Sequence, residues 1–589
     1  MSTLSSFSLK NTSTTTFYHA DTHTHQKATT ASTKFHKVVA RSSKAHNKRL
    51  VLDTAPVLQY YSNYPSNTKT KKKKNSSKSK GEEVVTLIDH LITFFYKFIN
   101  PPLHSSVDPN YVLSGNFAPV GELPPTECTV VCGELPSSLN GAYLRNGPNP
   151  QHPPHGPHHL FEGDGMLHSL LLSGGRATFC SRYVQTYKYT LERIAGFPTF
   201  PNVLSGFYGL ADIARCAIAI ARVLTGQINL MRGFGLANTS LAFFSNRLFA
   251  LGESDLPYAV RLTPEGDVET LERCCFNGRP FMNMTAHPKI DIHTGEMFAF
   301  RCSPVPPYLT FFRFDAKGSK QPDVPIFSMT RPTFVHDFAI TKRYAVFPET
   351  QLEMKPENLV ALRGMPVASD PSKVPRIGVI PRYASSESEL RWYTVPGYSA
   401  MHVTNAWEDE EEGIILIAPN AVSIENIFHR IEMVHFSLEK VRIDMRTGMV
   451  SRTCLDTRSL ELGSINPAYV GKKNRYAYMG VGEVVPKMSG VVKIDLELER
   501  AVSSRFYGPG CFGGESIFVA RDADDSEADE DDGYIVSFVH NENTGDSKFE
   551  VMDAKSPMLD IVATVKLPGR VPYGFHGLFV TQKNLLKQL

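Results

Sequence analysis

The sequence lacks several features that mark common protein classes. No stretch of 18 or more consecutive apolar residues occurs in its 589 residues, which argues against a membrane-spanning helix. Cysteines are few: Cys128, Cys132, Cys180, Cys216, Cys274, Cys275, Cys302, Cys454 and Cys511. None forms a C-x-x-C pair, and Cys128 and Cys132 have no second pair at zinc-binding spacing. An odd, scattered set favours reduced thiols over a disulfide scaffold. No H-E-x-x-H is present, so a zinc hydrolase of that type is not supported. Charge of either sign is scarcely in excess, with 62 Lys and Arg against 59 Asp and Glu. Together with 42% hydrophobic residues, this excludes collagen-like and wholly disordered classes.

The balance hides an asymmetry. Residues 1–80 hold 15 Lys and Arg and only two acids, Asp21 and Asp53, whereas the remainder holds 47 basic and 57 acidic residues. The basic segment is Ser/Thr-rich, as an organellar transit peptide is, and a plastid is the expected destination. A disordered tail and a nucleic-acid-binding arm are the alternatives. The Lys69–Lys80 run suggests the arm, but no nucleic-acid-binding module follows it and the body is acidic. Residues 81–115 read as an amphipathic arm and 116–589 as one catalytic body with a helical insertion around 201–232.

The body reads as all-β. Alternating strands flank polar turns in LAFFSNRLFALGES from Leu241, YAVRLTPEGDVETL from Tyr258, KIDIHTGEMFAFRC from Lys289 and VRIDMRTGMVSRTC from Val441. Many short antiparallel strands over so long a chain suggest a propeller, because radial repetition of four-stranded blades keeps it compact. Two segments break the pattern, 82–99 and 207–224. Each reads as a helix that lies in a membrane surface or packs on the protein's own core. The acidic run from Arg521 to Tyr534 lacks the glycine and ligand alternation of an EF-hand and reads as a solvated hairpin tip.

Four of the 20 histidines crowd into HPPHGPHH: His152, His155, His158 and His159. Proline and glycine make this a flexible loop, poorly suited to a preorganised metal site. His287, His336, His402 and His576 instead sit singly in apolar, strand-like contexts. Taken alone, each is more often a satisfied core residue than a ligand. As a set, their separations of 49, 66 and 174 residues approximate one, one and three blades of a seven-bladed wheel. Inner strands converge on the axis, so the four imidazoles can meet at one first-row divalent ion. Ligating imidazoles usually donate their second N–H to a carboxylate. Glu253, Glu461 and Glu515 are candidates for that role, or ordinary strand-end acids.

The motifs GAYLRNGPNP, FEGDGMLH, GLANTS, ALGESDLPY, TAHPKID, FVHDFAIT, MHVTNAWE, INPAYVGKKNRYAY, EDDGY and PYGFHG follow in order. Over residues 116–589 the chain resembles the carotenoid cleavage dioxygenases, and most of all their plant type-4 branch. Glu461 departs from the Asp often found there, keeping the carboxylate. The resemblance implies a seven-bladed β-propeller with a helical lid over one face and one Fe(2+) per chain. It implies His287, His336, His402 and His576 as iron ligands, and Glu253, Glu461 and Glu515 as the carboxylates that orient three of them. His168 belongs to a family motif without being a ligand. The implied reaction cleaves a conjugated C=C bond of a carotenoid with O2, giving apocarotenoid aldehydes or ketones. The implied bond is 9,10 (9′,10′); cleavage at 7,8 (7′,8′), or at 11,12 of 9-cis-epoxycarotenoids, is the alternative. Peripheral contact with a plastid membrane or plastoglobule surface is expected, and no nucleic-acid partner. A non-enzymatic binding propeller is the rival from another class.

Overall fold

The computed structural model describes residues 103–589, apart from 155, 207–209, 277–282 and 359–364. The basic segment and the helix expected over 82–99 lie outside the described residues. Antiparallel sheets follow one another along the chain. Ser240–Phe244, Arg247–Leu251, Tyr258–Leu262 and Val268–Arg273 form one four-stranded sheet. Lys289–Asp291, Glu296–Cys302, Leu309–Phe314 and Val324–Ile326 form the next. A third comprises Ala339–Ile340, Tyr344–Glu349, Arg376–Pro381 and Arg391–Thr394, interrupted by the small pair Leu352–Met354 and Val367–Ser369. A 13-stranded sheet follows from Asn405–Glu408 onward. Within it, Val450–Ser464 pairs first with His435–Asp444 and then, from Leu460, with Tyr476–Val484. No sheet among the described residues closes on itself.

The turns follow the local sequence. In the first four-stranded sheet, Ser245 and Asn246 both take positive φ, 48° and 60°. That is the two-residue hairpin conformation whose twist matches the flanking strands. The acidic run is a hairpin loop joining Ile517–Ala520 to Gly533–Asn541. Its tip is exposed, but its base is not purely solvated. Glu530 accepts hydrogen bonds from the Arg475 and Tyr476 amides, both at 2.7 Å, and buried Asp531 pairs with Lys493 at 2.6 Å.

Period-two alternation sends neighbouring side chains into different interfaces. Phe298 and Phe300 pack with Phe338 and Phe347 toward the third sheet, whereas Ala299 packs with Phe312 and Phe314 toward the preceding one. Leu170 and Phe179, near the start of the body, pack against Phe538 and Phe549 near its end. Both ends of the body are also interwoven. The late strand Gly577–Thr581 pairs with Gly141–Pro148, and the early strand Thr129–Gly133 pairs with Ile561–Lys566. Burial of each such aromatic side chain contributes about 1.5–3 kcal/mol.

Among the described residues, two helices exceed one turn. α1 (Tyr187–Ala195) is capped by Thr186, which accepts from the Tyr189 amide, and ends at Gly196 with φ 80°. α2 (Leu210–Leu224) falls in the expected insertion and inverts the usual amphipathic order. Asp212 is buried, whereas Ile213, Ala217, Ile220, Ala221 and Leu224 are exposed along one face.

Candidate metal centre

Four strands at sheet edges position the four histidines. His287 precedes Lys289–Asp291, His336 precedes Ala339–Ile340, His402 precedes Asn405–Glu408 and His576 immediately precedes Gly577–Thr581. Each strand is the terminal member of its sheet's order. A residue just before an edge strand projects beyond the hydrogen-bonded layer, so four such positions can face one another.

They do. His336 Nε2 lies 3.1 Å from both His287 Nε2 and His402 Nε2. The ring centroid of His576 is 4.6 Å from that of His287 and 4.9 Å from that of His402. One ring nitrogen from each of His287, His402 and His576 falls within 4.8 Å of the other two. The carboxylates expected from the sequence are also here. Glu461 accepts from His402 Nδ1 at 3.0 Å, Glu515 accepts from His576 Nδ1 at 3.0 Å, and Glu253 faces His336 Nδ1. Among the described residues no ion pair joins a carboxylate to His287.

This arrangement fixes the protons. An Nδ1 facing a carboxylate carries the hydrogen, which leaves Nε2 with a lone pair. His336 and His402 therefore turn two lone pairs toward each other across 3.1 Å, a repulsive contact unless a cation lies between them. Nitrogens each about 2.1 Å from a divalent ion and at right angles stand roughly 3 Å apart. The donor set thus fits a metal ion. The electrostatics agree at His287, which burial and the three neighbouring imidazoles push well below the ordinary imidazole range, keeping it neutral. His336 runs the other way: the Glu253 carboxylate outweighs burial and raises that group, favouring a second ring proton that a metal ion would have to displace from Nε2. Burial would raise Glu461, yet the adjacent His402 brings it below the usual carboxylate range.

Asp337 staples three of the histidine loops. It is buried, pairs with Lys289 Nζ at 2.8 Å and accepts from the Val403 amide at 2.8 Å. Lys289 lies two residues after His287, Val403 one residue after His402, and Asp337 itself follows His336. Reading side chains one at a time gave no signal for this role. Around His576, close backbone approach requires glycine. A Cβ at Gly574 would lie 2.8 Å from the Asn146 carbonyl oxygen, and one at Gly577 would lie 3.0 Å from the Tyr143 ring. The Asn146 amide in turn donates to the His576 carbonyl at 3.0 Å, fixing that loop.

An aromatic wall flanks the cluster, and the sequence reading missed it. Phe334 stacks on His336, with centroids 6.0 Å apart and planes at 26°. Phe428 lies 6.4 Å from Phe334 and 6.1 Å from Phe161, and Phe161 lies 5.5 Å from Phe575, the neighbour of His576. Phe334 and Phe575 adjoin histidine motifs and carried a local signal; Phe428 did not. Met401, Ile424, Ile427 and Phe436 belong to the same apolar cluster. A surface cavity of about 860 Å3, lined by Tyr187, Asn229, Arg232 and Arg273 among others, contains none of the four histidines.

One expectation needs correction. HPPHGPHH is not simply a flexible loop, because His158 and His159 are buried and hydrogen-bonded. Asn202 Nδ2 lies 3.1 Å from His158 Nδ1, and His159 Nε2 lies 3.0 Å from the Phe428 carbonyl oxygen. Composition signalled mobility, but partners far along the chain fix these rings. His168 is buried in the strand Gly165–Ser173, directly across from Arg145.

A strand-built body with braced, converging imidazoles in an apolar setting is the architecture of a metal-dependent enzyme rather than of a binding scaffold. The family model for retinal pigment epithelial membrane protein matches residues 117–581. The chain is 60% identical over 499 residues to a probable carotenoid cleavage dioxygenase 4, chloroplastic, from Arabidopsis thaliana, spanning 83% of this chain and 84% of that one. It is also 60% identical over 504 residues to the 9-cis-epoxycarotenoid dioxygenase NCED1, chloroplastic, from Oryza sativa subsp. japonica, spanning 83% and 79%. Among solved structures, the Pseudomonas brassicacearum lignostilbene dioxygenase superposes with a TM-score of 0.69 at 23% identity, spanning 82% of this chain and 100% of that one, a likeness of fold. The chain belongs to the carotenoid cleavage dioxygenase family, the family of the retinal pigment epithelial membrane protein. It is accordingly an oxidoreductase of a non-haem iron family, and the non-enzymatic reading falls away.

Proposed function

We propose that this chain cleaves a carotenoid with O2 at the 9,10 (9′,10′) bond, using one Fe(2+) held by His287, His336, His402 and His576. The observation that carries the iron assignment is the convergence of the four imidazoles, three of them with Nδ1 turned to Glu253, Glu461 or Glu515. When bound, iron(II) supplies the redox chemistry that lets dioxygen react with a closed-shell polyene. The protein's own residues do the rest. The three carboxylates hold the Nδ1 protons in place and aim Nε2 inward. The aromatic wall offers an apolar surface that excludes water and orients the polyene. No side chain is assigned a proton-transfer step.

The bond assignment rests on the plant type-4 resemblance. The rice relative, equally identical, is named for 9-cis-epoxycarotenoids, and this supports 11,12 cleavage as the second reading. Mass spectrometry of products from a panel of carotenoids separates these outcomes and the 7,8 (7′,8′) one. A dominant C13 ketone from a C40 substrate is expected for 9,10 cleavage. A dominant C15 aldehyde from a 9-cis-epoxycarotenoid would overturn it.

The architecture we propose is a seven-bladed propeller. Supporting it, hydrophobic clusters join each sheet to the next, split the 13-stranded sheet into successive layers and join the last layer to the first. α2 is the proposed lid and membrane contact. Its outward Ile213, Ile220 and Leu224 are costly in water, each worth about 1.5–3 kcal/mol on burial in lipid. Replacing Ile220 and Leu224 by Asp is expected to abolish sedimentation with liposomes while leaving bound iron unchanged. Residues 1–80 are the proposed plastid transit peptide and linker, in keeping with the chloroplastic names of both plant relatives. A reporter fused to that segment is expected to enter plastids, and a cytosolic reporter would overturn the assignment.

A further inference from the structure

The geometry points to His159 as a positioning residue that ties two faces of the aromatic wall together and so determines which double bond of the polyene is presented for cleavage. The inference rests on the carotenoid-cleaving function proposed above. Its basis is the pair of hydrogen bonds made by one buried ring. The Phe161 amide donates to His159 Nδ1 at 3.1 Å. A backbone amide can only donate, so Nδ1 is the acceptor and the neutral ring carries its proton on Nε2. That Nε2–H faces the Phe428 carbonyl oxygen at 3.0 Å, which can only accept. One tautomer therefore satisfies both bonds, and it clamps residues 267 positions apart in the sequence. Burial lowers the pKa of His159 to about 4, so the neutral form holds across the physiological range.

The clamped residues are those of the wall. The His159 ring packs 4.8 Å from Phe161 and 5.9 Å from Phe428. Phe428 contacts Phe334, which stacks on His336, and Phe161 contacts Phe575 beside His576. Thus both aromatic routes to the histidine cluster start from residues that His159 holds. The clamp is anchored in turn. The His159 amide donates to Ser205 Oγ at 3.0 Å and to Glu162 at 3.3 Å, while Glu162 accepts from the Leu204 amide at 2.6 Å. Successive double bonds of a polyene differ in position by only about 2.5 Å, and an ångström-scale displacement of a positioning surface is enough to change reactivity many-fold.

The test compares His159→Leu, His159→Gln and Phe428→Leu with the wild type on one carotenoid, reading product ratios, KM and kcat, bound iron per chain and Tm. His159→Leu fills the volume without either hydrogen bond. It is expected to raise the share of products from neighbouring double bonds by about threefold or more and to raise KM, with iron content unchanged. His159→Gln keeps a donor and an acceptor on one planar group and is expected to restore most of the product ratio. Phe428→Leu leaves the backbone clamp intact but removes the ring, and is expected to redistribute products as His159→Leu does. It decides the matter if His159→Leu does not fold. An unchanged product ratio in both Leu variants, or a fall in Tm and kcat alone, would overturn the inference. A wild type that yields no carotenoid product would instead overturn the proposed function.

Discussion

Two groups of histidines in this molecule invite comparison. His158 and His159 are buried, whereas the four at the hub are only half-buried. His159 has both ring nitrogens engaged by the chain itself, and its loop is built around those bonds. At the hub, Glu253, Glu461 and Glu515 engage one nitrogen on each of three rings, and the opposite nitrogens turn toward a shared centre. Burial alone thus says little about ligation. What distinguishes a ligand is a second nitrogen left without a protein partner and aimed where other such nitrogens are aimed.

The largest expected difference follows from removing one ring of each kind. His402→Ala is expected to lose bound iron and carotenoid cleavage together, whereas His159→Gln retains iron at the wild-type level by metal analysis. Next comes the brace. Glu461→Gln keeps the volume but not the charge that holds the His402 proton, and is expected to weaken iron binding by about 10–100-fold in a chelator competition. Asp337→Ala tests whether the loops need their staple. It leaves Lys289 without its buried partner and the Val403 amide without an acceptor. A loss of about 3 kcal/mol in stability is expected, measured by denaturant unfolding, together with weaker iron retention.

The smallest effect concerns pH. Burial lowers the pKa of His158 to about 3 and that of His159 to about 4. The unfolded chain takes up protons near the ordinary imidazole value while the folded form resists. Stability from these groups is therefore full above about pH 6.5 and lost as pH falls toward the folded values. Between pH 6.5 and 5 the metal-free protein is expected to lose about 1.5 kcal/mol in all through the His159 ring, a loss that His159→Gln escapes. A slope unaffected by that substitution would remove the distinction between the two groups.

Much of the hub was legible in the sequence because its signals are local. Each ligand candidate is a lone polar residue in an apolar strand context, and each carboxylate candidate stands out in the same way. Alternation and turn residues likewise marked hairpins such as that at Ser245 and Asn246. What escaped was whatever depends on distant partners. Phe428 is one aromatic among many until folding brings it to Phe161 and Phe334. His158 and His159 sit in a composition that suggests mobility, and only the arrival of Asn202, Ser205 and Phe428 makes them rigid. Asp337 carries no local signal, because its partners follow histidines 49 residues before and 66 residues after His336.

The most direct test of the account is metal analysis combined with iron-edge X-ray absorption on the purified wild type and on His402→Ala. About one iron per chain with a nitrogen-dominated coordination shell, lost in the variant, is the predicted result. Wild-type protein that takes up no iron, or a His402→Ala variant that binds it with an unchanged shell, would contradict the claim that these four imidazoles form one metal centre.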